Sequence, residues 1–214
     1  MKILSLDSSS LVASVACVSF AEGKQDVLFE RKTSHARSDS SALFEGLREA
    51  VDACGAPDGL CVGLGPGSYN GLRVGIAAAR GFATALNLPL HAIPSPLGLP
   101  GSEERFWAVG DARGGHYWIA RIERGAFVES PYLLSPAETL NHLSSYADLP
   151  VLGSTPLPGL DRLEIMTPCA LRLAILAEKN DPSFLVTGTP EPIYLKPPHI
   201  TAPRAITIAT ATAS

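Results

Sequence analysis

Apolar residues in this chain fall into short runs broken by turn residues, and two stretches repeat them at helical spacing. Lys2 to Leu6 is apolar, reaches Asp7 and is followed by Ser8-Ser9-Ser10, the pattern of a strand entering a turn. Val12 to Phe20 and Asp26 to Thr33 read as two more strands joined by a turn at Glu22-Gly23-Lys24. Asp39, Ser40 or Ser41 can then cap a helix running to about Cys54, ended by Gly55 and Pro57. Leu43, Leu47, Ala50, Val51 and Cys54 form one stripe of that helix, with Phe44 beside it, and such a stripe is ordinarily a core face.

The centre of the pattern runs from Leu60 to Leu86. An apolar run, Leu60 to Leu64, reads as a buried strand. It enters the loop Gly65-Pro66-Gly67-Ser68-Tyr69-Asn70-Gly71, and Leu72 to Leu86, alanine-rich and free of proline, reads as a helix. Gly75, Ala78, Ala79, Phe82 and Ala85 or Leu86 recur at spacings of three and four, giving that helix a face of mostly small residues. Strand, glycine loop and helix N-terminus together suit either an anion or a tight turn. The spacing matches neither a Walker A loop nor the dinucleotide GxGxxG register, which favours a structural role for the glycines.

Pro89 to Ile93 reads as another strand, and Pro94, Pro96, Pro100 and Gly101 mark a break, so residues 1–100 and 101–203 read as two domains. The second half begins as the first did. Phe106 to Val109 leads to Asp111 and the turn Ala112-Arg113-Gly114-Gly115, then strands His116 to Ile122 and Ala126 to Leu133 flank a turn at Arg124-Gly125. Asp7 and Asp111 thus hold equivalent places in an internal repeat. A helix from Ser135 or Pro136 to about Tyr146, a strand over 149–152 and a helix from Pro168 to Asn180 follow, the last with Leu171, Ala174, Ile175 and Glu178 on one face. Residues 204–214 are an Ala/Thr-rich tail, expected to be poorly ordered.

Composition narrows the function. The 214 residues are 46% hydrophobic and 18% charged, a core-rich globular composition. With a net charge of −4 and scattered Lys and Arg, unaided nucleic-acid binding is disfavoured. Cys17, Cys54, Cys61 and Cys169 all lie in apolar runs without CxxC spacing, as reduced core residues would, and no Cys/His pair has metal-ligand spacing. No signal peptide or membrane span is read, so the expected location is the cytoplasm. Asp7, at a strand end against a serine turn, suits either a metal–nucleotide or an Asx-turn acceptor. His35, just before the first helix, has no second His at metal spacing.

The duplicated βββαβα plan with an Asp at each first hairpin resembles the actin-like, sugar-kinase and Hsp70 (ASKHA) superfamily, an α/β fold of two subdomains with the second shortened. Within it, Ile3-Leu4-Ser5-Leu6-Asp7-Ser8-Ser9, Gly65 to Gly75, Asp111-Ala112-Arg113 and Pro192-Ile193-Tyr194-Leu195-Lys196 resemble in order four motifs of the TsaB (YeaZ) family, and His35 matches a His before its first helix. The signature loop comprises Gly65, Pro66, Gly67, Ser68, Tyr69, Asn70, Gly71 and Arg73. Tyr69-Asn70 replaces Phe-Thr, Gly114 replaces an Arg, and Lys196 replaces an Arg of the family pattern.

The resemblance implies a non-catalytic subunit of the bacterial machinery that makes threonylcarbamoyladenosine in tRNA. It implies no resident cofactor or metal, ATP and magnesium being used by the complex. The implied partners are the catalytic subunit TsaD and, through it, the ATPase TsaE and tRNA, or a second copy of the chain. It implies a partner surface on the two helices of the first subdomain, including Leu43, Phe44, Leu47, Val51, Gly75, Ala78, Ala79 and Phe82. The five histidines, His35, His91, His116, His142 and His199, include no pair four apart, so the His-x-x-x-His metal helix of TsaD is missing. The alternative within the same superfamily is a small ATP-dependent phosphotransferase using Asp7 and Asp111. A serine peptidase is disfavoured because no GxSxG occurs.

Overall fold

The structure is a computed structural model that describes residues 1–34, 41–101, 104–179, 181–186 and 188–196. His35, the capping candidates Asp39 and Ser40, and the 204–214 tail lie outside these residues.

The repeat read from the sequence is present as topology. In the first half, β1 (Lys2–Asp7), β2 (Val12–Ala21), β3 (Lys24–Ser34), β4 (Gly59–Gly63) and β5 (Leu90–Ile93) form a sheet of order β3-β2-β1-β4-β5. Helix α1 (Ser41–Cys54) follows β3, and α2 (Tyr69–Leu86) joins β4 to β5. In the second half, β6 (Arg105–Asp111), β7 (Tyr117–Glu123), β8 (Ala126–Leu134), β9 (Val151–Gly153) and β10 (Leu163–Ile165) form a sheet of order β8-β7-β6-β9-β10, with α3 (Pro136–Ser144) after β8. The first two strand pairings are antiparallel and the rest parallel in both sheets. The counterpart of α2 is missing: residues 154–162 join β9 to β10 without a helix. Helix α4 (Ala170–Glu178) closes the series.

Strand alternation assigns the layers. Leu4 and Leu6 of β1 pack with Val62 of β4 against Leu43, Leu47 and Ala50 of α1 and Leu72, Ile76 and Ala79 of α2. Ile3 and Cys61 point to the other face, where they meet Leu173, Ala174 and Ala177 of α4 together with Phe106, Ala108, Trp118 and Ile122 of the second sheet. Trp107, Val109 and Ile119 face outward onto Leu143 of α3. The order is helices, sheet, α4, sheet, helix, with α4 between the sheets.

Several boundaries differ from the sequence reading for local reasons. Helix α2 starts three residues early because Ser68 caps it, its Oγ accepting from Gly71 N–H. It ends at Asn87, left-handed at φ 52°, whose N–H reaches Ala83 O and Thr84 O. Strand β10 has no counterpart in the sequence reading, its three residues being half-buried or exposed. On α4 the buried residues are Ala170, Leu173, Ala174, Leu176 and Ala177, while Leu171 and Ile175 are half-buried and Glu178 is exposed; the helix is apolar on nearly all sides, so its period gives no single direction. Residues 95–98, within the proline-rich break, are a buried 3-10 turn, and Gly98 O accepts from Cys169 N–H at 2.9 Å. Among the described residues no helix is long and apolar enough to cross a membrane.

Because α4 serves both sheets, Leu173→Ala is expected to cost about 2–5 kcal/mol and to shift one cooperative urea transition. Two separated transitions would show that the sheets unfold independently.

Candidate functional site

The glycine loop is packed shut against the serine turn after β1. A Cβ at Gly67 would strike the carbonyl of Ser9, one at Gly71 the carbonyl of Ser8, and one at Gly75 the hydroxyl of Ser8. These glycines are therefore required by close backbone approach. Ser68 N–H donates to Ser9 O at 2.7 Å, and Ser8 Oγ donates to Gly71 O at 2.8 Å. Gly65, at φ +82°, donates its N–H to Ser95 Oγ at 2.8 Å and accepts from Ser95 N–H at 3.0 Å. The N–H groups of Gly65, Ser68 and Gly71 are thus spent within the protein, and the structural role expected for the glycines is the one observed. Ser95 is hidden from sequence reasoning by its place among prolines.

Asp7 is fully buried beneath this loop. Its Oδ1 accepts from Ser9 N–H at 2.9 Å and from Ser9 Oγ at 2.7 Å, which is the Asx-turn alternative. Its Oδ2 is buried without a hydrogen-bond partner and lies against the site a Gly63 Cβ would occupy. Burial raises the Asp7 pKa above the ordinary carboxylate value, against the opposing pull of Ser9 and Ser95. The nearby Ser95 hydroxyl contributes field without a well-formed bond to Oδ2. Asp111 is exposed and its Oδ1 caps Arg113 N–H at 2.7 Å. The two repeat-related aspartates therefore sit in opposite environments.

Three of the sequence motifs converge on an exposed ridge. Ile193 N–H donates to Leu64 O at 2.9 Å, fixing the terminal segment to the end of β4. This places Tyr194 on Tyr69, ring centres 5.3 Å apart and interplanar angle 29°. Arg73, one turn along α2 from Tyr69, donates from Nη1 to the Tyr69 hydroxyl at 2.9 Å and stands 5.3 Å from its ring centre. Two residues beyond Tyr194, Lys196 Nζ donates to Arg113 O at 2.7 Å and stands 3.0 Å from His116 Nδ1, itself 2.9 Å from Gly114 O. Asn70 is exposed beside Tyr69. Burial, reinforced by Tyr69, raises the Tyr194 pKa against the lowering effect of Arg73.

The helix residues expected to meet a partner are mostly core. Leu43 and Leu47 are buried, Gly75 lies on Ser8, and Ala78 and Ala79 are buried against the first sheet. Val51 and Phe82 are half-buried against the same core. Of these eight, Phe44, 48% exposed, stands clear. The sequence reading puts the small residues of α2 on the wrong side because the helix carries them on two faces. Its outward face is Arg73, Ala77, Arg80, Gly81 and Thr84, and a Cβ at Gly81 would meet nothing.

Among the described residues no three His, Cys, Asp or Glu side chains are grouped to hold a metal ion. All four cysteines are free and buried; burial, with the neighbouring Cys54, pushes the Cys17 thiol up to about 12.

The family model for TsaD, tRNA N6-adenosine threonylcarbamoyltransferase, matches residues 32–100. An uncharacterized protein of Mycobacterium leprae is 30% identical over 64% of this chain and 39% of its own length. The tRNA threonylcarbamoyladenosine biosynthesis protein TsaB of Bacillus subtilis is 29% identical over 44% of this chain and 42% of its own. The matches span about two fifths of these curated relatives. The solved structure of YeaZ from Pseudomonas aeruginosa superposes with a TM-score of 0.70 at 24% identity, over 91% of this chain and 99% of that one. The duplicated sheets form an α/β fold shared with that structure. In sequence and fold the chain is thus similar to proteins named TsaB and YeaZ, and over residues 32–100 to the TsaD family.

Gly67→Ala and Gly71→Ala should each destabilise by about 1–3 kcal/mol or more through backbone overlap. Gly81→Ala should instead stabilise by about 0.5–1 kcal/mol, all read by urea unfolding.

Asp7 binds its proton more tightly folded than unfolded, so folding stability should fall as pH rises from its unfolded pKa through its higher folded pKa. Asp7→Asn should remove that slope and match or exceed the parent stability at pH 7. A variant that loses stability at neutral pH would show that a buried carboxylate is needed.

Proposed function

We propose that this chain is a non-catalytic subunit that supports threonylcarbamoyl transfer to the adenosine next to the tRNA anticodon. It acts by binding a TsaD-type catalytic subunit, with the ATPase TsaE and tRNA joining through that complex in the cytoplasm. The observation that carries the reading is the closed glycine loop. In a phosphotransferase of this class the loop amides and the first-strand aspartate would have to face a nucleotide. Here the space beside Gly67, Gly71 and Gly75 is filled by Ser8 and Ser9, and Asp7 is sealed beneath them, its pKa raised by burial. The kinship with the TsaD family over residues 32–100 supports descent from an active relative whose chemistry this chain no longer performs.

The partner surface is the outward side of α1 and α2. Phe44 is a large exposed apolar side chain, and Ala77 and Gly81 leave α2 flat enough for another helix to approach closely. The same face can accept TsaD or a second copy of the chain.

The deciding experiment mixes TsaD, TsaE and the threonylcarbamoyl-adenylate synthase with tRNA, ATP, threonine and bicarbonate, then quantifies modified adenosine with and without this chain. Product only with the chain is expected; equal product without it rejects the reading. Phe44→Asp should weaken association with TsaD about tenfold or more in sedimentation while leaving the melting temperature unchanged. Unaltered association would place the partner surface elsewhere.

A further inference from the structure

We propose that the ridge formed by Tyr69, Tyr194, Arg73, Arg113 and Lys196 is a contact site for single-stranded RNA, taking one unpaired base by stacking and the adjoining phosphates by charge. The choice of RNA, rather than another ligand with a flat ring and a phosphate, rests on the function proposed above. The chemistry of the ridge stands without it.

The first observation is aromatic. Tyr69 and Tyr194 stack on each other, yet 37% and 44% of their surfaces remain in solvent. Arg73 and Tyr194 both contact the Tyr69 ring, so the stack is built from the α2 side and Tyr194 is its outer member. A solvent-facing aromatic layer backed by a guanidinium is a platform for a planar base, and stacking of this kind is indifferent to which base is offered.

The second observation is where positive charge stands beside that platform without an acidic partner. Arg31 pairs with Glu45 and Glu49, Lys32 with Glu30, Arg48 with Asp52 and Arg121 with Glu129. Lys2 Nζ donates to Cys54 O, and Arg162 donates to carbonyls at the end of α3. Arg105 and Arg124 line a shallow depression with Glu104, Glu123 and Asp148, which offset their charge. Among the described residues Lys24, Arg80 and Lys179 form no ion pair, and neither do Arg73, Arg113 and Lys196, the three that stand along the ridge. Acidic groups do approach it: Asp111 caps Arg113 N–H, Glu138 feels His116, and Glu191 lies three residues before Tyr194. Arg73 is held by the Tyr69 ring and hydroxyl and Lys196 by the Arg113 carbonyl and His116, none of them an anion, so their charge remains available to a phosphate.

The third observation is rigidity. Tyr194 is placed by the Ile193–Leu64 bond and Lys196 by the Arg113 carbonyl, while Tyr69 and Arg73 belong to a capped helix. The charges and the stack are preorganised on four anchored positions.

The test titrates a fluorescein-labelled single-stranded oligoribonucleotide with the full chain at low salt and follows anisotropy, with ATP as competitor. Tyr194→Ala should weaken binding about tenfold and Tyr194→Phe should retain it, since the ring and not the hydroxyl is used. Arg113→Ala with Lys196→Ala should flatten the slope of log K against log salt by about 0.7 for each phosphate no longer neutralised. Unchanged melting temperatures separate these effects from unfolding. Equal binding by the parent and Tyr194→Ala, or no binding by the parent, overturns the proposal. Displacement by ATP with the same Tyr194 dependence assigns the ridge to a free nucleotide and overturns the RNA assignment. Product in the reconstituted reaction from a chain whose RNA binding ignores Tyr194 would leave the subunit function standing and this site rejected. Tyr194-dependent RNA binding without reconstituted activity would do the reverse.

Discussion

The constraint on which the first half depends is the distance between two pieces of backbone. The carbonyls of Ser8 and Ser9 stand where side chains of residues 71 and 67 would be, and the Ser8 hydroxyl stands where one of residue 75 would be. Meeting that constraint fixes the entry of α2, since Ser68 then lies close enough to donate to Ser9 and to cap the helix. It also fixes the fate of Asp7. With the glycine loop closed above it and Ser95 bonded to Gly65, the carboxyl has Ser9 for one oxygen and no partner for the other. Burial there raises the pKa of this carboxyl above its ordinary value.

The second half repeats the topology without the feature that would need such a closure. Residues 154–162 join β9 to β10 directly, so no helix N-terminus faces the β6–β7 turn. Asp111 is accordingly free to sit in solvent and cap its own turn. What holds the halves together is α4, whose Ala170, Leu173, Ala174 and Ala177 are small or compact enough to lie between two sheets. Its first turn is anchored by polar groups of the first sheet, Ser14 Oγ accepting from Ala170 N–H at 3.0 Å and Ser5 Oγ donating to Ala170 O. Those two buried serines find these partners only because the helix arrives there.

Much of this was legible in the sequence because it depends on local signals. Short apolar runs marked nine of the strands, the turns at Gly23 and Gly125 marked the second hairpin of each half, and the two aspartates at equivalent offsets exposed the repeat. The illegible parts are those where several directions are compatible with the same composition. Helix α4 is apolar all round, so its buried face is decided by the sheets and not by its own period. Helix α2 has small residues inward at 71, 75, 78 and 79 and outward at 77 and 81, so size alone could not say which face is free. Leu163–Ile165 is a strand because β9 is beside it, and three residues carry no independent pattern. The convergence of Tyr69 with Tyr194, 125 positions apart in the chain, is set by the path of the terminal segment over β4.

The two faces of α2 connect the closed interior to the exposed surface. Its inward glycines allow the serine turn to pack against the start of the helix. Its outward face, free of that duty, carries Arg73, Ala77 and Gly81, and its first residue carries the ring on which Tyr194 stacks. The departures from the family pattern fall on the exposed side of this division: Tyr69, Asn70, Gly114 and Lys196 lie along the ridge. The glycines that close the loop are intact. A change at an exposed ridge position costs little, whereas an added Cβ at Gly67 or Gly71 meets backbone. The interior is thus fixed by backbone meeting backbone at the glycine loop, while the ridge on the same helix stays in solvent.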